Sequence, residues 1–183
     1  MFFHTPKIIA LCGHPKHGKS TVQSMLEELG VRPLDDGLPI RLEGMGRFGL
    51  TWEQVSTQEG KLEICHAFGR DMEVREALGL IGKEYEDTDP GHWAKRAVDL
   101  VLAEGDMTPV SFGSVRRTQG HVYAGFGGIV LEIRDPRKPE SPYDFDQYDA
   151  AAVTHTIIND GTLEDLRAKV LAAVAEYLEL SHG

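Results

Sequence analysis

Residues 13–20, GHPKHGKS, fit the pattern GxxxxGK[ST] in full. An apolar run at residues 7–12 precedes them, and residues 19–29 follow with apolar side chains at helical spacing. A buried strand, a glycine-bearing loop and a helix, in that order, are the setting in which this pattern binds phosphate. By average residue frequencies the bare pattern arises by chance in about one chain in a hundred. The segment therefore predicts a phosphate-binding loop.

The residue types of this loop each have a separate use. Gly13 and Gly18 let the main chain approach phosphate oxygens without a Cβ, and successive N–H groups face the anion at the start of the helix. The Lys19 ammonium can bridge two phosphates of a nucleotide, and the Ser20 hydroxyl can bind Mg²⁺. His14 and His17 occupy variable positions of the pattern, where we expect them to tolerate the turn and not to bind a metal.

Composition excludes several classes of function. The 183 residues carry 19 basic and 29 acidic side chains, a net charge of −10, which argues against a broad nucleic-acid or anionic-membrane surface. Cys12 and Cys65 form neither a CxxC nor a zinc spacing, so we expect reduced, structural cysteines. The apolar run at residues 8–12 is too short to span a membrane. We expect one domain, 1–183, in the cytoplasm.

Strand and helix patterns alternate along the chain. This alternation predicts an α/β fold of three layers, with a parallel sheet flanked by helices and the ligand beyond the carboxyl ends of the strands. Residues 40–90 are the least regular stretch, with short helical pieces expected at 52–55, 62–70 and 74–80. Residues 134–150 contain three prolines and many charges, and are a candidate lid. The remaining strands are expected at 31–34, 109–112, 129–133 and 155–158, and the remaining helices at 91–104 and 162–180.

A phosphate-binding loop alone does not separate kinases from other nucleotide-hydrolysing proteins. The guanine-specificity motif NKxD is absent, and residues 109–112 lead into Gly113 and Ser114 without the acid of a Walker B strand. Basic residues cluster in the loops where a second phosphate would bind, which favours phosphoryl transfer to a small acceptor. They are Arg41, Arg47, Arg70, Arg75, Arg116, Arg117, Arg134, Arg137 and Lys138.

Several segments together resemble the phage-type deoxynucleoside monophosphate kinases, within the nucleoside monophosphate kinase group. The similarity covers nearly the whole chain in order, and its most specific parts are the phosphate-binding loop and the NDGTLEDL ending, which also resembles dephospho-CoA kinases. The segments are LCGHPKHGKST, DDGLPIR, TQEGK, VREALGLIG, GSVRR and TIINDGTLEDLRAKV. Ser114 stands where many relatives have an Asp, and Asp144, Asp146 and Asp149 replace a lid motif of some relatives.

The resemblance implies a five-stranded parallel sheet, an acceptor-binding region at about 35–90, a lid at about 134–150, and ATP with Mg²⁺ as cofactors. Catalytic roles fall on Lys19, Arg116, Arg134, Arg137 and Asp36, and Mg²⁺ contacts on Ser20 and Asp36. Nucleotide contacts fall on Gly13, Lys16, His17, Gly18, Lys19, Ser20, Thr21, Asn159, Gly161 and Thr162. Acceptor contacts fall on Asp35, Asp36, Arg41, Lys61, Arg70 and Arg75.

Simpler interpretations stay open for some of these residues. Asp35 and Asp36 could form a solvated turn before Gly37, and Arg70 and Arg75 could pair with the neighbouring Glu73 or Glu76. The acceptor could instead be dephospho-CoA, a modified nucleotide or a base within DNA, and a P-loop ATPase acting on a protein partner is the alternative from another class. Base and sugar preference, the general base and the oligomeric state, a homodimer included, are left open. A phage-encoded enzyme would act in the host cytoplasm.

Overall fold

A computed structural model describes residues 5–142 and 146–180 of the chain. Its contacts divide the chain into two compact units. We call Met1–Asp36 with Val98–Gly183 the sheet unit, and Gly37–Ala97 the inserted unit. The inserted unit overlaps the segment 35–90 that the resemblance assigns to the acceptor. Three residues of the expected lid, 143–145, lie outside the described residues.

The sheet unit is built on five parallel strands in the order β2-β5-β1-β6-β7. This confirms the α/β fold and the five-stranded parallel sheet flanked by helices. The strands are β1 (Ile8–Cys12), β2 (Arg32–Leu34), β5 (Val110–Phe112), β6 (Ile129–Arg134) and β7 (His155–Ile158). The helices are α1 (Lys19–Glu28), α6 (Gln119–Gly125) and α7 (Leu163–Leu178), while α5 (His92–Glu104) begins in the inserted unit and ends in the sheet unit. The short helix α6 was not predicted.

Alternate residues of the central strands cover the two faces of the sheet, as the strand period of two requires. Ile9 and Leu11 of β1 and Ile133 of β6 pack in one buried cluster with residues of α1 and α7. On the opposite face, the Phe112 ring stacks on the Tyr123 ring of α6 with centroids 4.6 Å apart. The carboxyl ends of β1, β5 and β6 therefore meet at one edge, between these two layers.

Two expected helix ends are confirmed. Gly30 follows Leu29, the C-cap residue of α1, with φ 83°, as a glycine just after a helix does. Thr162 and Asp165 form the expected capping box at the start of α7, in which the Thr162 hydroxyl accepts from the Asp165 amide.

The inserted unit contains α2 (Leu38–Phe48), α3 (Trp52–Ser56), an antiparallel hairpin of β3 (Ile64–Ala67) and β4 (Arg70–Glu73), and α4 (Val74–Glu86). The helical piece expected at 62–70 is wrong, because this segment forms the first strand and the turn of the hairpin. Phe68 and Gly69 make that turn with φ values of 52° and 77°. Helix α4 extends beyond the expected 74–80, and α2 was not predicted.

Other expectations concern cysteine chemistry and membranes. Cys12 and Cys65 are free thiols, and burial raises the pKa of Cys12 to about 12. Among the described residues, no helix has both the length and the apolar character that a membrane crossing needs.

Candidate functional site

The phosphate-binding loop, residues 13–18, leaves β1 at the edge where the strands end. Gly13 has φ 130°, and a Cβ there would lie 2.3 Å from the Ile133 carbonyl oxygen of β6. A Cβ on Gly18 would lie 2.7 Å from the Asn159 side-chain nitrogen, just after β7. Only glycine fits at these two points, so the glycines of the motif set how closely the loop approaches the sheet.

The main chain of this loop offers donors to an anion. Within the described part of the chain, the N–H groups of Lys16, Gly18, Lys19 and Ser20 donate to no other protein group. The His17 amide is used internally, donating to the His14 carbonyl at 3.3 Å. Free amides at a helix start, in a loop too tight for side chains, form a setting suited to phosphate. The residues present therefore fit the triphosphate of a nucleotide.

Lys19 lies in the first turn of α1, folded against the loop. Its ammonium donates to the carbonyl oxygens of Gly13 at 2.6 Å and His14 at 2.9 Å. Burial lowers the pKa of Lys19, and the nearby positive charge of Arg116 lowers it further. Two cations held close together attract an anion that can lie between them. Ser20 and Thr21 follow on α1 and are exposed, as is Lys16 in the loop.

Asp36 comes from a different strand and lies beside the end of β5. Strands β2 and β5 pair in parallel with Leu34 opposite Phe112, so Asp36 and Ser114 follow their strands by the same two residues. The Asp36 carboxylate accepts from the Ser114 amide at 3.0 Å. A carboxylate that follows β2 therefore lies at the end of β5, beside Ser114.

Burial raises the pKa of the Asp36 carboxyl to about 6, and the neighbouring Asp35 carboxylate raises it as well. The charge of Arg116 and the Ser114 amide act in the opposite direction. Arg116 is thus close enough to influence the ionisation of both Lys19 and Asp36, and Asp36 also acts on Lys19. An acid and two cations beside a phosphate-binding loop can bind a metal and a transferred phosphoryl group.

Arg116 lies on the loop after β5, and Arg134 is the last residue of β6. One Arg116 nitrogen is 3.8 Å from the Asp146 carboxylate. Arg134 is exposed and donates to Glu132 at 2.8 Å. Glu132 is itself buried, and it also accepts from Tyr148 at 2.5 Å and Thr156 at 2.8 Å. Burial opposes its ionisation, yet these bonds leave the pKa of Glu132 below its ordinary value.

Arg137 and Asn159 lie on the other side of the loop. Two Arg137 nitrogens donate to the Asp135 carboxylate at 2.8 and 3.1 Å, and the guanidinium also donates to the Asn159 carbonyl at 2.9 Å. This pairing lowers the pKa of Asp135 to about 2. The Asn159 side chain donates to the His17 carbonyl at 3.1 Å. Arg137 and Asn159 are therefore joined to the phosphate-binding loop.

Other residues expected at the site are placed as follows. The Thr162 hydroxyl is engaged in the cap of α7, and Gly161 lies against Asp165 of the same cap. His17 is buried at 2% exposure, with both ring nitrogens within hydrogen-bond distance of residues after β6.

The four basic residues expected to bind the acceptor all lie in the inserted unit. Arg41 is on α2 and Lys61 in the short 3-10 helix at Gly60–Leu62. Arg70 is exposed and pairs with Glu76 at 2.5 Å, and Arg75 lies 3.8 Å from Glu73. The pairing that the sequence offered as the simpler interpretation of these two arginines is present. Their role toward an acceptor stays a prediction.

Sequence reasoning missed Glu132 and Tyr148, although one signal was available. Glu132 is the single acid inside the apolar strand IVLEIR. An acid buried within such a strand requires partners, and partners at a strand's carboxyl end are functional candidates. Tyr148 carries no comparable signal, because it reaches Glu132 from an irregular segment.

The fold has relatives among solved structures. It is similar to TT1252 from Thermus thermophilus, with a TM-score of 0.54, 20% identity, and coverage of 97% of this chain and 100% of that one. It is also similar to shikimate kinase from Acinetobacter baumannii, with a TM-score of 0.49, 18% identity and 98% of each chain covered. Dephospho-CoA kinase from Campylobacter jejuni has a TM-score of 0.48 and 12% identity, with 93% of this chain and 97% of that one covered.

At such identities, likeness extends to the fold alone, and the two kinases are too distant to support an activity. No protein-family model matches the sequence, and no curated protein is significantly similar to it. The function must therefore be argued from the site itself.

Replacing Gly13 by Ala should destabilise the protein far more than replacing Gly30. Both have positive φ, but a Cβ on Gly30 would meet nothing within 4 Å, whereas one on Gly13 would meet the Ile133 carbonyl. Backbone strain alone gives a loss of about 1–2 kcal/mol for Gly30→Ala. The added clash takes Gly13→Ala beyond about 4 kcal/mol. Urea unfolding of both variants measures the difference, and equal losses would show that the loop does not lie against β6.

The Asp36 carboxyl should titrate near pH 6 in the protein free of nucleotide and metal. Because the Asp35 charge contributes to the raised pKa, Asp35→Asn should lower the pKa of Asp36. Carboxyl ¹³C NMR against pH measures both values. An Asp36 pKa at the ordinary value of about 3.9 in the wild type would contradict this geometry.

Proposed function

We propose that this protein is an ATP- and Mg²⁺-dependent kinase that transfers a phosphoryl group to a nucleoside monophosphate, preferably a deoxynucleotide, and gives the diphosphate. The observation that carries the proposal is the set of main-chain amides of Lys16, Gly18, Lys19 and Ser20, which donate to no other group of the described residues, with the Lys19 ammonium, Asp36 and Arg116 beside them. The monophosphate acceptor itself rests on the sequence resemblance.

The loop would hold the β- and γ-phosphates of ATP by its free amides, with the Lys19 ammonium moving from the loop carbonyls to the phosphate oxygens. Ser20 and Asp36 would hold Mg²⁺, directly or through water. When bound, the metal neutralises charge that develops on the phosphate oxygens. Arg137 and Asn159, joined to the loop at His17, would lie on the nucleotide side of the site.

In the transfer, an oxygen of the acceptor forms a bond to the γ-phosphorus, and the bond from that phosphorus to the β,γ-bridging oxygen breaks to leave ADP. Charge spreads over the transferred oxygens, so cations held in place supply most of the protein's contribution. Arg116 would be one such cation, and the action of its charge on both Lys19 and Asp36 supports this role. Arg134 is oriented by the buried Glu132, which leaves part of its guanidinium exposed.

The inserted unit would bind the acceptor. Its contribution would come from Arg41, Lys61, Arg70 and Arg75, whose positive charges suit a monophosphate. Because Arg70 and Arg75 already have acidic neighbours, a phosphate would have to compete with Glu76 and Glu73 for them.

One observation favours a second candidate, a kinase whose acceptor is a hydroxyl group, as in a dephospho-CoA kinase. A phosphate oxygen of a monophosphate already carries negative charge near neutral pH and needs no base, whereas a hydroxyl must lose a proton. With a pKa of about 6, Asp36 is mostly ionised at neutral pH and could accept that proton. The effect of removing this carboxylate therefore separates the two acceptors.

The proposal is tested by ADP release with ATP, Mg²⁺ and a panel of monophosphates, dephospho-CoA and an acceptor-free control. We expect turnover with at least one deoxynucleoside monophosphate and little without an acceptor. Lys19→Ala should lower kcat by at least about 10²-fold, while Lys83→Ala, at an exposed lysine paired with Asp87, should leave it unchanged. Steady hydrolysis that no acceptor stimulates would instead indicate an ATPase.

In the same assay, Asp36→Asn distinguishes the acceptors. With a monophosphate, the loss reflects metal positioning and should be largely restored by raising Mg²⁺. With a hydroxyl acceptor, loss of the base should lower kcat by about 10²–10⁴-fold at every Mg²⁺ concentration. Turnover of dephospho-CoA with no monophosphate used would overturn the first candidate.

A further inference from the structure

Two histidines in the variable positions of the phosphate-binding loop are buried in the structure. His14 is 6% exposed and His17 2% exposed, and their rings meet edge to face with centroids 5.5 Å apart. Buried imidazoles need hydrogen-bond partners. Both find them in residues 135–141, the segment after β6, which we call the strap.

The bonds of His17 fix its tautomer. The Asp135 main-chain N–H is a donor and lies 3.3 Å from His17 Nδ1, so this nitrogen must accept. His17 Nε2 lies 3.3 Å from the Pro139 carbonyl oxygen, which can only accept, so Nε2 must carry the proton. The ring therefore joins two points of the strap and is neutral in this arrangement.

His14 makes the equivalent bond further along the strap. The Ser141 main-chain N–H donates to His14 Nδ1 at 3.2 Å, so this nitrogen too is an acceptor. On its other side the ring packs against Tyr148, with centroids 5.6 Å apart. Three bonds to two adjacent imidazoles thus hold the strap along the loop, at residues 135, 139 and 141.

We propose that His14 and His17 are positioning residues: in their neutral Nε2–H form they fasten the strap to the phosphate-binding loop and so hold Arg137 and Asn159 beside it. Arg137 lies within the strap, pairs with Asp135 and donates to the Asn159 carbonyl. Asn159 in turn donates to the His17 carbonyl. Hydrogen bonds therefore join the His17 imidazole to the strap, Arg137 of the strap to Asn159, and Asn159 back to the His17 carbonyl.

Protonation of either imidazole breaks the hydrogen bond between its Nδ1 and the strap. A protonated Nδ1 becomes a donor facing the N–H of Asp135 or Ser141, and the bond from that amide to the imidazole is lost. Histidine side chains ordinarily change charge between about pH 5 and 8. The strap should therefore be fastened in mildly alkaline solution and released in mildly acidic solution.

Among the described residues, several charged or titratable groups lie near the rings. Glu140 lies 4.0 Å from His14 Nε2 and is exposed, so solvent screens its attraction for a proton. The Asp135 carboxylate is already paired with Arg137. The Lys19 ammonium lies against the His14 carbonyl and opposes a second positive charge nearby. The Tyr148 hydroxyl is engaged with Glu132, and Asp146 accepts from the Ser141 hydroxyl.

The test begins with the protein itself. At about pH 8, ¹⁵N NMR of the imidazoles should show the Nε2–H tautomer for both His14 and His17. Amide hydrogen exchange, corrected for its intrinsic pH dependence, should show protection of the Asp135 and Ser141 amides falling at least about tenfold between pH 8 and pH 5.5, as loss of one hydrogen bond implies. The Leu11 amide in β1 is the control and should remain protected.

Asparagine and glutamine variants separate the effect of losing the hydrogen-bond acceptor from the effect of gaining a positive charge. The Asn side-chain oxygen can take the place of Nδ1 and does not titrate, so His17→Asn should keep the Asp135 amide protected at both pH values. His17→Gln places its amide group near Nε2, where the NH2 can donate to the Pro139 carbonyl, and leaves no acceptor at Nδ1, so it should lose that protection at both pH values. His14→Asn should do the same for Ser141 as His17→Asn does for Asp135.

An Nδ1–H tautomer on either histidine, or wild-type protection that does not change with pH, would overturn the proposal, and neither result needs a variant that folds. The consequence for nucleotide rests on the proposed function: on acidification, ADP affinity should fall several-fold more in the wild type than in the Asn double variant. If protection of the strap depends on pH as expected but ADP does not bind, the proposed kinase function is refuted while the positioning role of His14 and His17 is kept. ADP binding with an equal pH dependence in both proteins would refute the coupling alone.

Discussion

The site depends on the close contact between the main chain of Gly13 and the main chain of Ile133 in β6. Because the loop there lies against the Ile133 carbonyl with no room for a Cβ, it must turn back along the strand ends. That path leaves four amides, at positions 16, 18, 19 and 20, without an acceptor among the described residues, and it brings the Lys19 ammonium onto the loop carbonyls. The same path places the loop between Asp36 and Arg116 on one side and the strap with Asn159 on the other.

Local sequence patterns predicted the sheet unit well and the inserted unit poorly. Strand β1, helix α1 and the Thr162 cap carry periodicity or motifs that need no tertiary information. Helix α2 has glycines at 44 and 46, which lower helix propensity. A Cβ on Gly44 would lie 2.9 Å from Leu78, so this glycine permits close packing against α4, which a single sequence does not reveal. The hairpin was missed because Phe68 is an unusual residue for a positive φ.

The residues of the candidate site also fall into two groups, those that the sequence identified and those that only the fold brought together. Lys19, Ser20 and the glycines were identified because the motif is contiguous. The contact between Asp36 and the Ser114 amide depends on the register of β2 with β5, whose residues are 78 positions apart in the chain. The roles of His14 and His17 depend on the strap, more than 115 residues away. Sequence supplied the residue types, and only the fold brought them together.

The most direct test of the account follows single main-chain amides while ATP and Mg²⁺ are added without an acceptor. Large, saturable ¹H–¹⁵N shifts are expected at Lys16, Gly18, Lys19 and Ser20, with the Lys19 side-chain signal moving in parallel, while the Tyr177 amide near the start of β1 should change little. If ATP binds while these four amides keep their positions, the triphosphate lies elsewhere and phosphoryl transfer at this loop is contradicted.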